Sequence, residues 1–176
     1  VLNDADCFAL AEAHAGAGRH HRNVFGIILG SGVGGGIVLD GRIVTGVGGF
    51  AGEWGHGPVI RDPAFACGCG QIGCIDPIGS ARGLERLHHH LTGETLDSIA
   101  IVRRWKTGET ATVALWLDLV SGPLAMLVNV LGAGIVPVGG GLGNEPGLVA
   151  ALDAAVRAGV PADTPGELYI GGVGVA

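Results

Sequence analysis

Short unbroken apolar runs and longer stretches of helical spacing follow one another along this chain. "NVFGIILG" (23–30) is a continuous apolar run of strand length, which predicts a buried strand. In "IVLDGRIVT" (37–45) two β-branched runs flank Asp40-Gly41, the pattern of a tight hairpin. "AGIVPV" (133–138) predicts a further strand with "GGGLG" as its turn, and "ELYIG" (167–171) a last one. The opening "VLNDADCFALAEAHAGAG" predicts a strand end running into a helix, with Gly16 and Gly18 as stop signals. Helices are expected over 80–92, 95–106, 110–132 and 145–158. Residues 46–78 have no periodicity, and a loop of that length is usually functional. The most apolar stretch, 111–142, is broken by Asp118, Ser121, Pro123 and Asn129. It predicts a buried helix and a strand rather than a membrane span. The order of elements is that of a mixed α/β lobe.

Glycine changes the picture most. There are 35 in 176 residues, against an average near 7%, and they follow no fixed period. They cluster where the apolar runs end, where a backbone can approach a ligand closely. "LGSGVGGG" (29–36) predicts a Gly-rich turn over 30–36 that joins two strands. It is therefore neither a Rossmann fingerprint nor a Walker A loop, both of which open a helix. A structural hairpin with loose glycines is one reading; a hairpin tip that cradles phosphates is the other.

Charge and cysteine content narrow the class further. A net charge of −6 and scattered basic residues argue against a nucleic-acid partner. Reduced cysteines without a leader sequence fit a cytoplasmic protein. Three of the four cysteines fall in "CGCGQIGC" (67–74). Cys67 and Cys69 are too close in sequence for an unstrained bridge, and any pairing strands one thiol. Three thiols among glycines look instead like a zinc loop, and His56 in "GEWGHG" is the nearest candidate for the fourth ligand. Cys7 is the rival, although it lies in an apolar helical pattern that suggests plain core. With His56, Cys67, Cys69 and Cys74 all bound, no position is left for an activated water, so the zinc is expected to be structural. The alternative is a set of reduced thiols in a Gly-rich turn. The run His88–His90 is expected on a solvated or interface face of a helix.

Four segments in order, "NDADCFALAE", "GSGVGGGIV", "GEWGHG" with "CGCGQIGC", and "GIVPVGGGLGN", resemble the ROK family of sugar kinases and repressors. The resemblance runs from residue 1 to about 155 and implies the actin-like, hexokinase-like (RNase H-like) ATPase fold. It implies an ATP-dependent kinase acting on the 6-hydroxyl of a hexose, and "CFALAE" is most similar to members that act on N-acetylglucosamine. Asp4 would be the carboxylate that takes the hydroxyl proton, and Asn3, Glu53, His56 and Asp76 would address the sugar. By spacing alone, "ND" reads as a helix N-cap, and Glu53 alone reads as a solvated surface acid. Gly30, Ser31, Gly32, Gly34 and Gly35 would face the phosphates, and Gly139, Gly140 and Gly141 the adenosine. Mg2+ would bridge the β- and γ-phosphates. The zinc would hold the 46–78 loop so that its sugar-binding side chains are preorganised. A homodimer without membrane attachment is expected. A kinase for glucose or fructose, or a sugar-sensing ROK repressor, are the alternatives; intact Gly-rich phosphate segments favour the kinase.

One family feature does not appear. The amino-terminal phosphate motif Asp-x-Gly-Gly-Thr is nowhere in these residues, so the chain is expected to be a fragment of a larger kinase.

Overall fold

The computed structural model describes residues 2–162; the strand expected at 167–171 lies outside them. A four-stranded sheet is built from β1 (Asn23–Leu29), β2 (Val33–Leu39), β3 (Arg42–Ile43) and β4 (Val138–Gly139), in the spatial order β3-β2-β1-β4. β2 lies antiparallel to β1 and β3, while β4 runs parallel to β1. The hairpin falls on Asp40 and Gly41, both at positive φ (49° and 74°), as a two-residue primed turn requires. Of the expected "AGIVPV" strand only Val138 enters the ladder, joined by Gly139 of the expected turn. Ile135 makes a separate bridge to Val24, and Pro137 brings no N–H.

Side chains along β1 alternate between two faces. Phe25, Ile27 and Leu29 enter the main core with Leu84, Trp116, Val120, Leu124 and Leu148. Val24 faces the other way, in a small cluster with Ala9, Val38 and Ile135. The main core is closed by α2 (Asp76–Gly79), α3 (Ala81–Thr92), α4 (Ser98–Lys106), α5 (Ala111–Leu131) and α6 (Pro146–Ala158). α5 is long and apolar enough to span a bilayer, yet it packs on α2, α3, α4, α6 and β1, with Trp116, Val120 and Leu124 fully buried. α4 starts at Ser98, three residues later than its pattern suggests, because Asp97 caps it by accepting the Ala100 N–H.

On the opposite face lies α1 (Asp4–Ala15), packed against β1 and β2. It sits on a floor of glycines. A methyl group on Gly26 would come within 2.8 Å of the Ala9 Cα, and one on Gly36 within 2.7 Å of the Ala5 carbonyl oxygen. The turn foreseen over 30–36 is therefore shorter: 30–32 is turn, and Gly34, Gly35 and Gly36 are strand residues inside β2. Two of them make room for a helix. We expect Gly26→Ala to destabilise the fold by about 1–3 kcal/mol through overpacking. Denaturant midpoints measure it, and an unchanged midpoint would show that α1 can retreat from the sheet.

The histidine run divides. His88 is not solvated: it is 1% exposed, with Nδ1 at 2.8 Å from the Thr112 hydroxyl of α5. At helical spacing it lies on the buried face of α3 with Leu84 and Leu87. His89 and His90 are exposed, and the His90 ring meets Phe65 edge-on.

Candidate functional site

β1 and β4 end side by side, with Ile28 opposite Gly139, so the turns that follow them touch. A methyl group on Gly140 (φ 85°) would lie 2.6 Å from the Leu29 carbonyl carbon. Gly139 packs under the Phe8 ring, whereas Gly141 faces open space. On one side of this seam is a cavity of about 400 Å³, lined by Asn3, Asp4, Ala5, Ile28, Gly30, Ser31, Gly32, Val33, Gly34, Glu53 and Asp76. On the other is one of about 350 Å³, lined by Ser98, Ile99, Val102, Gly141, Leu142, Asn144 and Glu145.

The first cavity gathers segments far apart in sequence. Asn3 is both a cap and a site residue: its Oδ1 accepts the Asp6 N–H (2.7 Å) to start α1, and its Nδ2 donates to Glu53 (3.2 Å). The next residue, Asp4, is exposed in the first turn of α1. At the tip of the hairpin the Gly30 N–H bonds to the Gly32 carbonyl (3.0 Å). Among the described residues, the Ser31 and Gly32 N–H groups have no protein acceptor. Two free backbone donors at a glycine turn suit an anion. Gly35 is turned away from this cavity, toward Trp54 and Phe25.

Trp54 fastens the loop onto the sheet, its Nε1 donating to the Gly34 carbonyl (2.8 Å). It also meets Phe25 edge-on at 6.2 Å. This anchor escaped the sequence reading, although a lone tryptophan between Glu53 and His56 in a glycine-rich loop was the available signal.

His56, Cys67, Cys69 and Cys74 converge, with all four ligand atoms within 4.8 Å of one another. Cys69 and Cys74 sulfurs stand 3.7 Å apart, and the Cys67 sulfur is 3.5 Å from His56 Nδ1. Zn–S bonds of about 2.3 Å in a tetrahedron place two sulfurs about 3.8 Å apart, so the residues fit the ion. The Gln71 backbone brings the Cys69 thiol down to about 7, with smaller help from Cys67 and Cys74. Burial pushes Cys74 up to about 11, and a bound cation would reverse that. His56 presents its other nitrogen, Nε2, 4.0 Å from Glu53. A chain of contacts thus leads from the thiols through His56, Glu53 and Asn3 to the first turn of α1. Cys7 lies outside this group and is exposed, so it is neither a ligand nor the core residue its helical pattern suggested. It falls on the outer side of α1, whose sheet-facing positions are Ala5 and Ala9.

Comparison with known proteins gives a consistent result. The ROK family profile matches residues 1–169. The chain is 40% identical over 156 residues to the N-acetyl-D-glucosamine kinase of Pectobacterium atrosepticum, covering 82% of this chain and 51% of that protein. It is 36% identical over 168 residues to the N-acetylgalactosamine kinase AgaK of Shewanella sp. (strain ANA-3), covering 90% and 54%. Its fold superposes on a ROK family glucokinase from Streptomyces griseus, solved in complex with glucose and AMPPNP, with a TM-score of 0.84 at 26% identity. That match covers 98% of this chain and 62% of the glucokinase. The chain spans about half the length of the curated relatives it matches. The actin-like, hexokinase-like fold expected from the motifs is the one found.

Proposed function

This chain belongs to the ROK family, and on that premise we propose that it forms the sugar-binding and phosphate-binding part of an ATP-dependent hexosamine kinase. One observation carries the reading. Asp4 and the Asn3–Glu53 pair face the same cavity as the free N–H groups of Ser31 and Gly32. A hydroxyl held there lies between a proton acceptor and an anion-binding turn. That is the arrangement phosphoryl transfer to an alcohol needs.

The geometry supports a role for each residue. Asn3 and Glu53 hold ring hydroxyls, and their mutual hydrogen bond fixes both side chains beforehand. Asp4 accepts the proton of the attacking hydroxyl as the new O–P bond forms. Ser31 and Gly32 steady the transferred phosphoryl group. The nucleotide crosses the seam at Gly140, with adenosine against Gly141 and the cavity beside Ile99 and Leu142. Mg2+ comes with the nucleotide and neutralises its phosphates when bound. His56, Cys67, Cys69 and Cys74 hold one structural zinc that keeps residues 46–74 ordered. Glu53 and His56 then stand ready for the sugar. A cytoplasmic homodimer completes the reading.

N-acetyl-D-glucosamine is the proposed substrate, on the strength of the relatives at 40% identity. The AgaK relative makes N-acetylgalactosamine the second reading. A coupled assay on the full-length protein with these two sugars, glucose, mannose and fructose at equal concentration tests the choice. We expect N-acetylglucosamine to have the highest kcat/KM, with its margin over glucose about 10–200-fold, as one contact group allows. Glucose or fructose ahead would overturn the substrate and keep the kinase. Absence of phosphorylation of any sugar would overturn both.

A further inference from the structure

We infer that Asp76 is a positioning residue for the Ser31–Gly32 turn and that it thereby sets nucleotide affinity. The inference rests on the kinase reading above.

Asp76 lines the cavity, but its Oδ1 already has a partner: it accepts the backbone N–H of Val33 at 2.7 Å. Val33 is the first residue of β2, where the turn re-enters the sheet. Five residues after Asp76, the Ala81 N–H donates to the Gly30 carbonyl (2.8 Å) at the other end of the turn. One short stretch, 76–81, therefore grips both ends of the turn. Asp76 is itself held, since its own N–H donates to the Gly55 carbonyl (2.8 Å) and the Ser80 hydroxyl donates to its carbonyl (2.8 Å). The carboxylate lies so close to the turn that a methyl group on Gly32 would stand 2.8 Å from Oδ1. With both ends held, the two N–H groups between them keep their outward aim without an acceptor of their own.

Cys74 lies two residues before Asp76 and accepts the Gly57 N–H on its sulfur (3.4 Å). The zinc loop and the phosphate turn are thus joined through Asp76, and the metal's ordering of the loop reaches the nucleotide. What the clamp needs from residue 76 is an acceptor oxygen of the right length. It does not need the negative charge, which opposes a polyphosphate close by.

Calorimetric titration of the full-length protein with a non-hydrolysable ATP analogue and Mg2+, and separately with N-acetylglucosamine, tests the clamp. Leaving the Val33 N–H unpaired in Asp76→Ala weakens nucleotide binding about tenfold. Asp76→Asn keeps the acceptor and holds affinity within about twofold of wild type. Gly32→Ala pushes the carboxylate off Val33 and weakens nucleotide binding comparably. The double variant Gly32→Ala/Asp76→Ala is no worse than the weaker single one, because both break one contact. In turnover, the KM for nucleotide rises in Asp76→Ala while kcat stays closer to wild type. Nucleotide affinity in Asp76→Ala equal to wild type overturns the clamp, as does an Asp76→Asn variant as weak as Asp76→Ala. A wild-type protein that binds sugar but no nucleotide overturns the kinase reading and the clamp with it.

Discussion

In the full-length protein, Asp4→Asn is expected to lower kcat by about 10²–10⁴ while sugar affinity changes far less. The amide has the size of the carboxylate and keeps an oxygen acceptor, so the first turn of α1 is undisturbed. Among the described residues Asp4 accepts only the adjacent Ala5 N–H (2.9 Å), and the cap of the helix is Asn3, not Asp4. What the variant loses is a group able to take a proton. Single-turnover rates together with equilibrium binding of N-acetylglucosamine separate the two effects. Near-normal turnover would reduce Asp4 to a favourable charge at a helix start.

Zinc has the second large effect. We expect carefully purified, reduced protein to contain one zinc per chain by elemental analysis, and Cys67→Ser to lose it. We expect that variant to melt about 10 °C lower, since a lost metal ligand costs several kcal/mol and each is worth about 2–4 °C in a domain of this size. Sugar binding is expected to fall with the metal, because His56 and Glu53 stand in the loop that holds the four ligands. Nucleotide binding persists in weakened form. Metal-free protein with the same melting temperature and the same sugar affinity would leave the four residues as ordinary thiols and a histidine.

Much of this was legible in the residues. β1 and the Asp40-Gly41 hairpin follow from local patterns that tertiary contacts do not override. The convergence of His56 with Cys67, Cys69 and Cys74 was also visible, because their spacing leaves few ways to fold a loop of glycines. The "ND" pair was legible only in halves. A capping pattern and a catalytic pattern were rival readings, whereas Asn3 serves the helix with its oxygen and Glu53 with its amide nitrogen. His88 and Gly34 to Gly36 misled for one reason. Polarity and glycine content describe a residue, but burial depends on what another element lays over it: Thr112 of α5 over His88, α1 over Gly34 and Gly36, and Trp54 over Gly35. The links from Asp76 to Val33 and from Ala81 to Gly30 join positions 43 and 51 residues apart, and no local pattern announces them.

The glycine floor beneath α1 bears on how such a protein can drift over evolutionary time. Over Gly26 and Gly36 the helix that carries Asp4 meets the sheet through backbone atoms and single methyl groups at Ala5 and Ala9. Over those two glycines it has no large side chain whose rotamers can absorb a change. The bulky core of Trp116, Leu84 and Leu148 lies on the far face of the same sheet. Substitutions there are free to accumulate, exchange volumes and compensate one another while the carboxylate stays where it is. At Gly26 and Gly36 a single added carbon has no such freedom. Descendants of this sequence should therefore vary widely in the large residues and hold fast in the smallest ones.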